Sequence, residues 1–474
     1  MARVRGRAGA IAVTAALAVL AGCTDDPPPP PPPQPSAAPS SAEPDEVTLR
    51  LGVHGNDDVV AAYREITEAF TEQNPHVTVE IEEQPDARRG AAATRSALDA
   101  GEGPDVFLLH EDWLPGFVED GYLQPLDILL EERGLQFGDD YQRVALTAFS
   151  ANSGLQCMPA EMSPLVVFHN PRLLPRRQLL AQGVTLPDSP EVDTWTWEDF
   201  TAAARAAASL QPGSPRSPIH GAYLPPDVEL LTAFLRSAGT DVVDDVLDPT
   251  SLTLASDEAI EALRRIADLT RDFAVSPTPQ EIVATDPLTT FLEGRLALYV
   301  GTRADVPAMR ATEGLRFDVY PLPSLDRARG VAETSGLCVD SNSDQVEVAA
   351  DLIAFAVGPE GAAIAARSGA VVPSHLDTLV TEDFPQPGSA PRGEYVFAES
   401  LRRSDLLPYS TAWPKVSDRV EALLTRIYLD PGFDLEERLV QALERINARS
   451  EGWFDPSLET DLPDEPTPTS EPDD

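Results

Sequence analysis

Residues 101–127 read GEGPDVFLLHEDWLPGFVEDGYLQPLD. Behind Pro104, Val106-Phe107-Leu108-Leu109 is a continuous apolar run, the pattern of a strand buried on both faces of a parallel sheet. The polar residues that follow, Glu111-Asp112-Trp113, then form a loop at the C-terminal end of that strand, where open α/β sheets bind ligands. Toward the N-terminus, Val47, Leu49, Leu51 and Val53 alternate as a strand that Gly55-Asn56-Asp57-Asp58 breaks. Val59, Tyr63, Ile66 and Phe70 then share one helix face, stopped by Asn74-Pro75. Val77, Val79 and Ile81 give a second strand, and residues 91–100 a second helix. The order βαβαβ predicts an α/β domain with a parallel sheet.

The pattern restarts toward the C-terminus. Leu165-Val166-Val167-Phe168 reads as another buried strand, and Thr196 as the N-cap of a helix running through Ala208. Leu296 to Val300 and Val319 to Leu322 read as strands, and Val346 to Val357 as a helix stopped by Gly358-Pro359. The C-terminal region is mainly helical. Ser417 is expected to cap a helix reaching Leu429, and Asp434 the next, which carries Leu435, Leu439, Leu443 and Ile446.

The N-terminus says where the chain works. Arg3, Arg5 and Arg7 precede an apolar run from Ala8 to Leu20, the plan of a secretory signal peptide. Leu20-Ala21-Gly22-Cys23 resembles a bacterial lipobox, which implies a processed chain that begins at a lipidated Cys23. Residues 1–22 are then the signal peptide and 23–46 a stalk, in which Pro27 to Pro33 adopt polyproline II and lift the rest from the lipid. Residues 455–474 are an acidic, Pro-rich tail. The intervening 400 or so residues are too many for one core and suit two domains.

Composition excludes several classes. With 35 basic against 78 acidic residues, net −43, no basic face for nucleic acid is expected. There is no GxSxG elbow, HExxH, Walker A loop or GxGxxG, and the six histidines are scattered singly, so no cofactor or metal is expected. A secreted glycosidase, with two carboxylates flanking a sugar, stays open as the enzyme alternative. Of three cysteines, Cys157 and Cys338 remain after Cys23, an even pair that could bridge in an oxidising compartment.

Taken together, these segments resemble the extracellular solute-binding proteins of ABC importers, in the sugar-binding family that includes maltose-binding protein. The resemblance rests on the opening stretch, MPAEMSPLVVFHNPRLL (158–174), TWTWEDFTAAARAAA (194–208), FLEGRLALYVG (291–301) and IAFAVGPEGAAIAARSGAVVP (353–373), in the family's order. It implies a two-lobed clam-shell of the periplasmic-binding-protein type, with hinge strands and a helical C-terminal region. The N-terminal lobe would take residues 47–160 with 338–371, and the C-terminal lobe 161–337 with 372–454. Ligand would bind between the lobes and drive closure, and a membrane permease would recognise the closed form. The resemblance also implies a monomer without enzymatic activity, held outside the cytoplasm by its lipid.

The resemblance names the site as well. Asn56 and Asp57, after the first strand, occupy positions that contact sugar hydroxyls in the family. Glu111, Asp112 and Trp113 follow the third strand, and Asp112 is the best-placed carboxylate for binding hydroxyls. Glu161 and Ser163 sit at the hinge crossing. Trp413, in YSTAWPKV (409–416), matches a tryptophan that stacks on sugar. Ala304 and Leu109 stand where aromatics are common, which argues against a long oligosaccharide, and Arg303 would suit a hydrogen-bonding or anionic ligand if it faces the cleft. Polyamine, peptide and anionic sugar derivatives therefore remain rivals to a sugar. The family's two hinge crossings run side by side, which implies a Cys157–Cys338 disulfide.

Overall fold

The structure is a computed structural model that describes residues 45–187, 195–210, 213–214 and 217–455. The signal peptide, the Cys23 lipobox, the proline stalk and all of the acidic tail but Asp455 lie outside the described residues.

Ten strands build two sheets: β1 (Val47–His54), β2 (Val77–Gln84), β3 (Val106–His110), β4 (Cys157–Pro164), β5 (Val166–His169), β6 (His220–Tyr223), β7 (Leu296–Gly301), β8 (Asp318–Tyr320), β9 (Ala332–Val339) and β10 (Val372–Pro373). The helices that matter for the site are α1 (Asp57–Gln73), α2 (Ala87–Asp99), α3 (Trp197–Leu210), α4 (Val228–Ala238), α5 (Asp257–Thr270), α6 (Val346–Val357), α7 (Pro359–Ser368), α8 (Trp413–Leu429) and α9 (Leu435–Ser450).

The first sheet runs β10-β4-β9-β3-β1-β2 and the second β6-β7-β5-β8. As the apolar run predicts, every residue of β3 is buried. The expected parallel pairing holds for β2-β1-β3. It stops at β9, which runs antiparallel to both β3 and β4. The reason is connectivity. β4 belongs to the first sheet and β5 to the second with only Leu165 between them, so β4 leaves the first lobe where β9 returns to it.

The two crossings are joined covalently, as the resemblance implies. Cys157 and Cys338 sit opposite each other in the β4–β9 register, Cα atoms 4.3 Å apart, and form a disulfide buried in the first core. Between Ser335 and Gly336 the register shifts. A Cβ at Gly336 would come within 2.9 Å of the Phe149 ring, so only glycine lets β9 pass there.

Each lobe buries its own core. Leu49, Leu51, the β3 residues, Phe117 and Ile353 fill the first. Phe200, Leu231, Phe234, Leu263, Trp413, Val420 and Leu443 fill part of the second. Thr196 receives the Asp199 N–H at 3.1 Å at the start of α3, and Asp434 the Glu437 N–H at 3.0 Å at the start of α9. The Ser417 cap is corrected. The helix begins at Trp413 with Pro414 in its first turn, and Ser417 lies inside it, donating to the Pro414 carbonyl at 3.1 Å.

Candidate functional site

β1 and β3 are parallel neighbours and end side by side, at His54 and His110. Pairing across β3, β9 and β4 sets His110, Ser335 and Glu161 in one row, and Glu333 opposite Ser163 two residues along. The chain then turns through residues 111–113. The neutral His110 ring accepts the Asp112 N–H at 3.3 Å, and its Nδ1 lies 3.7 Å from the Asp112 carboxylate. Glu111 bends back to accept the Thr334 N–H at 2.7 Å, which ties the loop to the hinge. The Tyr63 hydroxyl of α1 bonds to Glu161.

Burial dominates the electrostatics of this wall. It pushes Glu111 up to about 8 against the opposing pull of His110, and Asp112 adds to the rise. It pushes Glu161 up to about 7, again opposed by His110. For His110 burial disfavours charge, but Asp112, Glu333, Glu111 and Glu161 outweigh it and the pKa rises.

The second lobe supplies the facing wall. Asp227 caps α4 by accepting the Leu230 N–H at 2.7 Å, with Glu229 in the first turn and Glu421 reaching in from α8. Their carboxylate oxygens lie within 4.8 Å of one another, the spacing of a metal-ligand set, which acidic clusters also reach without an ion. Burial raises both Asp227 and Glu229; the charge of Glu333 raises both further, and that of Asp112 acts on Glu229. The two walls therefore sense each other. α8 packs against the 111–113 turn, Arg88 on α2 donates to Asp418 on α8 at 2.9 Å, and Asn56 donates to the Ala304 carbonyl at 3.1 Å. Beside Glu111 a groove of about 380 Å³ opens between residues 147–152 and 406–409.

The expected site residues divide. Glu111 and Asp112 lie in the turn that packs against α8, and Glu161 and Ser163 lie on β4 opposite Ser335 and Glu333. Asp112 Oδ1, Glu161 Oε2 and Trp413 Nε1 are buried without a hydrogen-bond partner. Trp413 is 0% exposed and belongs to the second core, so in this form no face of its indole is open for stacking. Trp113 is half-buried and packs on the first core. Asn56 accepts the Val59 N–H at 3.0 Å as the cap of α1, and Asp57 is exposed in the first turn.

Arg303 requires a correction: it does not face the cleft. At 1% exposed it bonds to the Val371 and Phe384 carbonyls and to Glu394, 2.8 Å away, and lies over the Phe384 ring. A buried guanidinium needs such partners, and these occupy both of its terminal nitrogens, while Nε is buried without one. Ala304 next to it packs against the first core.

Sequence reasoning missed His110, Glu333, Asp227, Glu229 and Glu421. Glu333 stands two residues before the Ser335 crossing, on the same alternation, so the strand period could have found it. Asp227 is a helix cap just after β6, again at the C-terminal end of a strand. Glu421 had no local signal, since an acidic residue on a helix is ordinarily a solvated one.

A two-lobed α/β molecule with polar loops meeting between its lobes is the architecture of a binding protein that closes on a solute. The chain belongs to the bacterial extracellular solute-binding proteins, whose family model matches residues 56–363. It is similar to a maltotriose-binding protein of Pyrococcus abyssi, 25% identical over 112 residues, 24% of this chain and 23% of that protein. A binding protein of Brucella abortus (strain 2308) is 21% identical over 404 residues, 84% of this chain and 91% of its own. Among solved structures, an ABC substrate-binding protein of Listeria monocytogenes in complex with cycloalternan superposes with a TM-score of 0.73 at 20% identity, over 85% of this chain and 99% of that one. The fold is thus that of the two-lobed substrate-binding proteins of ABC importers.

Proposed function

We propose that this chain is the extracytoplasmic substrate-binding subunit of an ABC importer that takes a carbohydrate between its lobes and hands it to a membrane permease. The observation that supports this reading most is that Asp112 and Glu161, both beside His110, each keep a buried carboxylate oxygen without a partner. Carboxylate oxygens accept from sugar hydroxyls, and charge-assisted bonds of that kind are the strong ones. An anionic sugar derivative loses its support, because Arg303 is spent on Glu394. We propose further that Cys23 carries the lipid that tethers the chain to the outer face of the membrane, and that the lobes divide near residues 160, 337 and 371.

Thermal-shift titration against a panel of mono- and disaccharides tests the binding. A ligand at 100 times its Kd should add about 2.7 kcal/mol of stability, and Asp112→Asn should shrink the shift at the same ligand concentration. Release of sugar from glycosides by the purified protein would decide for the glycosidase alternative. For the anchor, mass spectrometry of the N-terminal peptide should find a diacylglycerol adduct on Cys23, and Cys23→Ala should release the protein to the medium. An unmodified N-terminus a few residues away would reject it.

A further inference from the structure

We propose that the cleft selects a sugar that carries a protonated amine over a neutral one. The inference rests on the cleft being the solute site. Four carboxylates line its first wall (Glu111, Asp112, Glu161 and Glu333) and three its second, brought within 4.8 Å of one another at Asp227, Glu229 and Glu421. The cationic side chain nearest them, Arg88, is already held by Asp418, and the neutral His110 ring lies among the first four. A neutral polyol needs acceptors, and two or three carboxylates suffice for that. Seven carboxyl groups on the two walls lose hydration and, where ionised, repel one another, and a bound cation relieves both costs without a proton. The raised pKa values of Glu111 and Glu161 express the same cost.

The cluster does not stand alone. Asp112 Oδ1 and Glu161 Oε2 are buried acceptors without donors, on the wall that faces the second cluster. An ammonium group answers such acceptors, and on the carbohydrate reading a sugar carries it.

The test compares solutes that differ in charge and little else. Calorimetric titration of the full chain at pH 7.5 would use the deacetylated chitin disaccharide, N,N′-diacetylchitobiose, maltose and spermidine. The free-amine disaccharide should bind roughly ten-fold or more tightly than its acetylated form. Asp112→Asn, and separately Glu421→Gln on the opposite wall, should shrink that preference several-fold while the thermal midpoint without ligand holds or rises. Equal or tighter binding of either neutral sugar overturns the amine preference and leaves the carbohydrate reading standing. Failure of the free-amine disaccharide to bind at millimolar concentration overturns the preference as well. Tightest binding of spermidine overturns this inference and the carbohydrate reading together.

Discussion

Arg303 and Glu111 are charged residues with opposite fates in this molecule. Arg303 and Arg310 both clasp Glu394, which is 1% exposed, so the carboxylate depends on two cations. Arg303→Leu should cost about 3–5 kcal/mol, because one partner of a buried charge is removed. Urea unfolding of the variant measures the cost, and a loss below 1 kcal/mol would show that Arg310 suffices alone. Glu111 is held protonated by burial, up to about 8. An unfolded glutamate ionises near 4.5, so between about 4.5 and 8 the folded state holds a proton the unfolded state has lost. Stability from this group is present below the unfolded pKa and is lost as pH rises through the folded one. Glu161, pushed up to about 7, acts in the same direction. Melting temperature without ligand should therefore fall from pH 5 to pH 8, and Glu111→Gln should flatten the fall. A melting temperature that rises across this window would refute the assignment. At this scale the sequence showed which residues carry charge, but not that Arg303 would find Glu394, 91 positions away.

At the scale of elements, β4 and β9 do most to place the site. Their register brings Glu161 opposite Ser335 and Glu333 opposite Ser163, and the same pairing aligns Cys157 with Cys338. The disulfide closes a loop of 181 positions, so in the chain-entropy model it contributes roughly 5 kcal/mol. Reduction should lower the urea midpoint by a corresponding amount, and thiol titration in denaturant should find the pair only after reductant is added. Helix ends were partly legible. Asp434 caps α9 as its sequence position indicates, and Asp434→Ala should cost about 1 kcal/mol in the same assay. Ser417 misled because a good cap residue also fits the interior of a helix already started by Pro414.

Among the described residues, Arg88–Asp418 and Asn56–Ala304 are polar contacts across the cleft. The Arg88–Asp418 pair is about half exposed on both sides, with side chains 58% and 45% accessible. Exposed pairs of this kind are worth little, so Arg88→Ala should change ligand affinity by less than about 1 kcal/mol. A loss beyond ten-fold in titration would make that pair a latch. Closure should instead depend on ligand charge and hydroxyls between the walls, and small-angle scattering should show a smaller radius of gyration with ligand than without it.

Local pattern in the sequence determined the strand-helix alternation, the buried run of β3, the caps of α3 and α9, and the turn after β3 that carries Asp112. These depend on neighbours within a turn or a strand, where apolar period and capping chemistry act directly. Motif order extended this to the two-lobed family. Only the tertiary structure decided the remainder: that β9 reverses the sheet, that Arg303 is consumed by Glu394, and that Asp227, Glu229 and Glu421 meet opposite Asp112 and Glu333. Coulomb energy and burial depend on distance in space, and residues hundreds of positions apart acquire that distance only when both lobes have folded and come together.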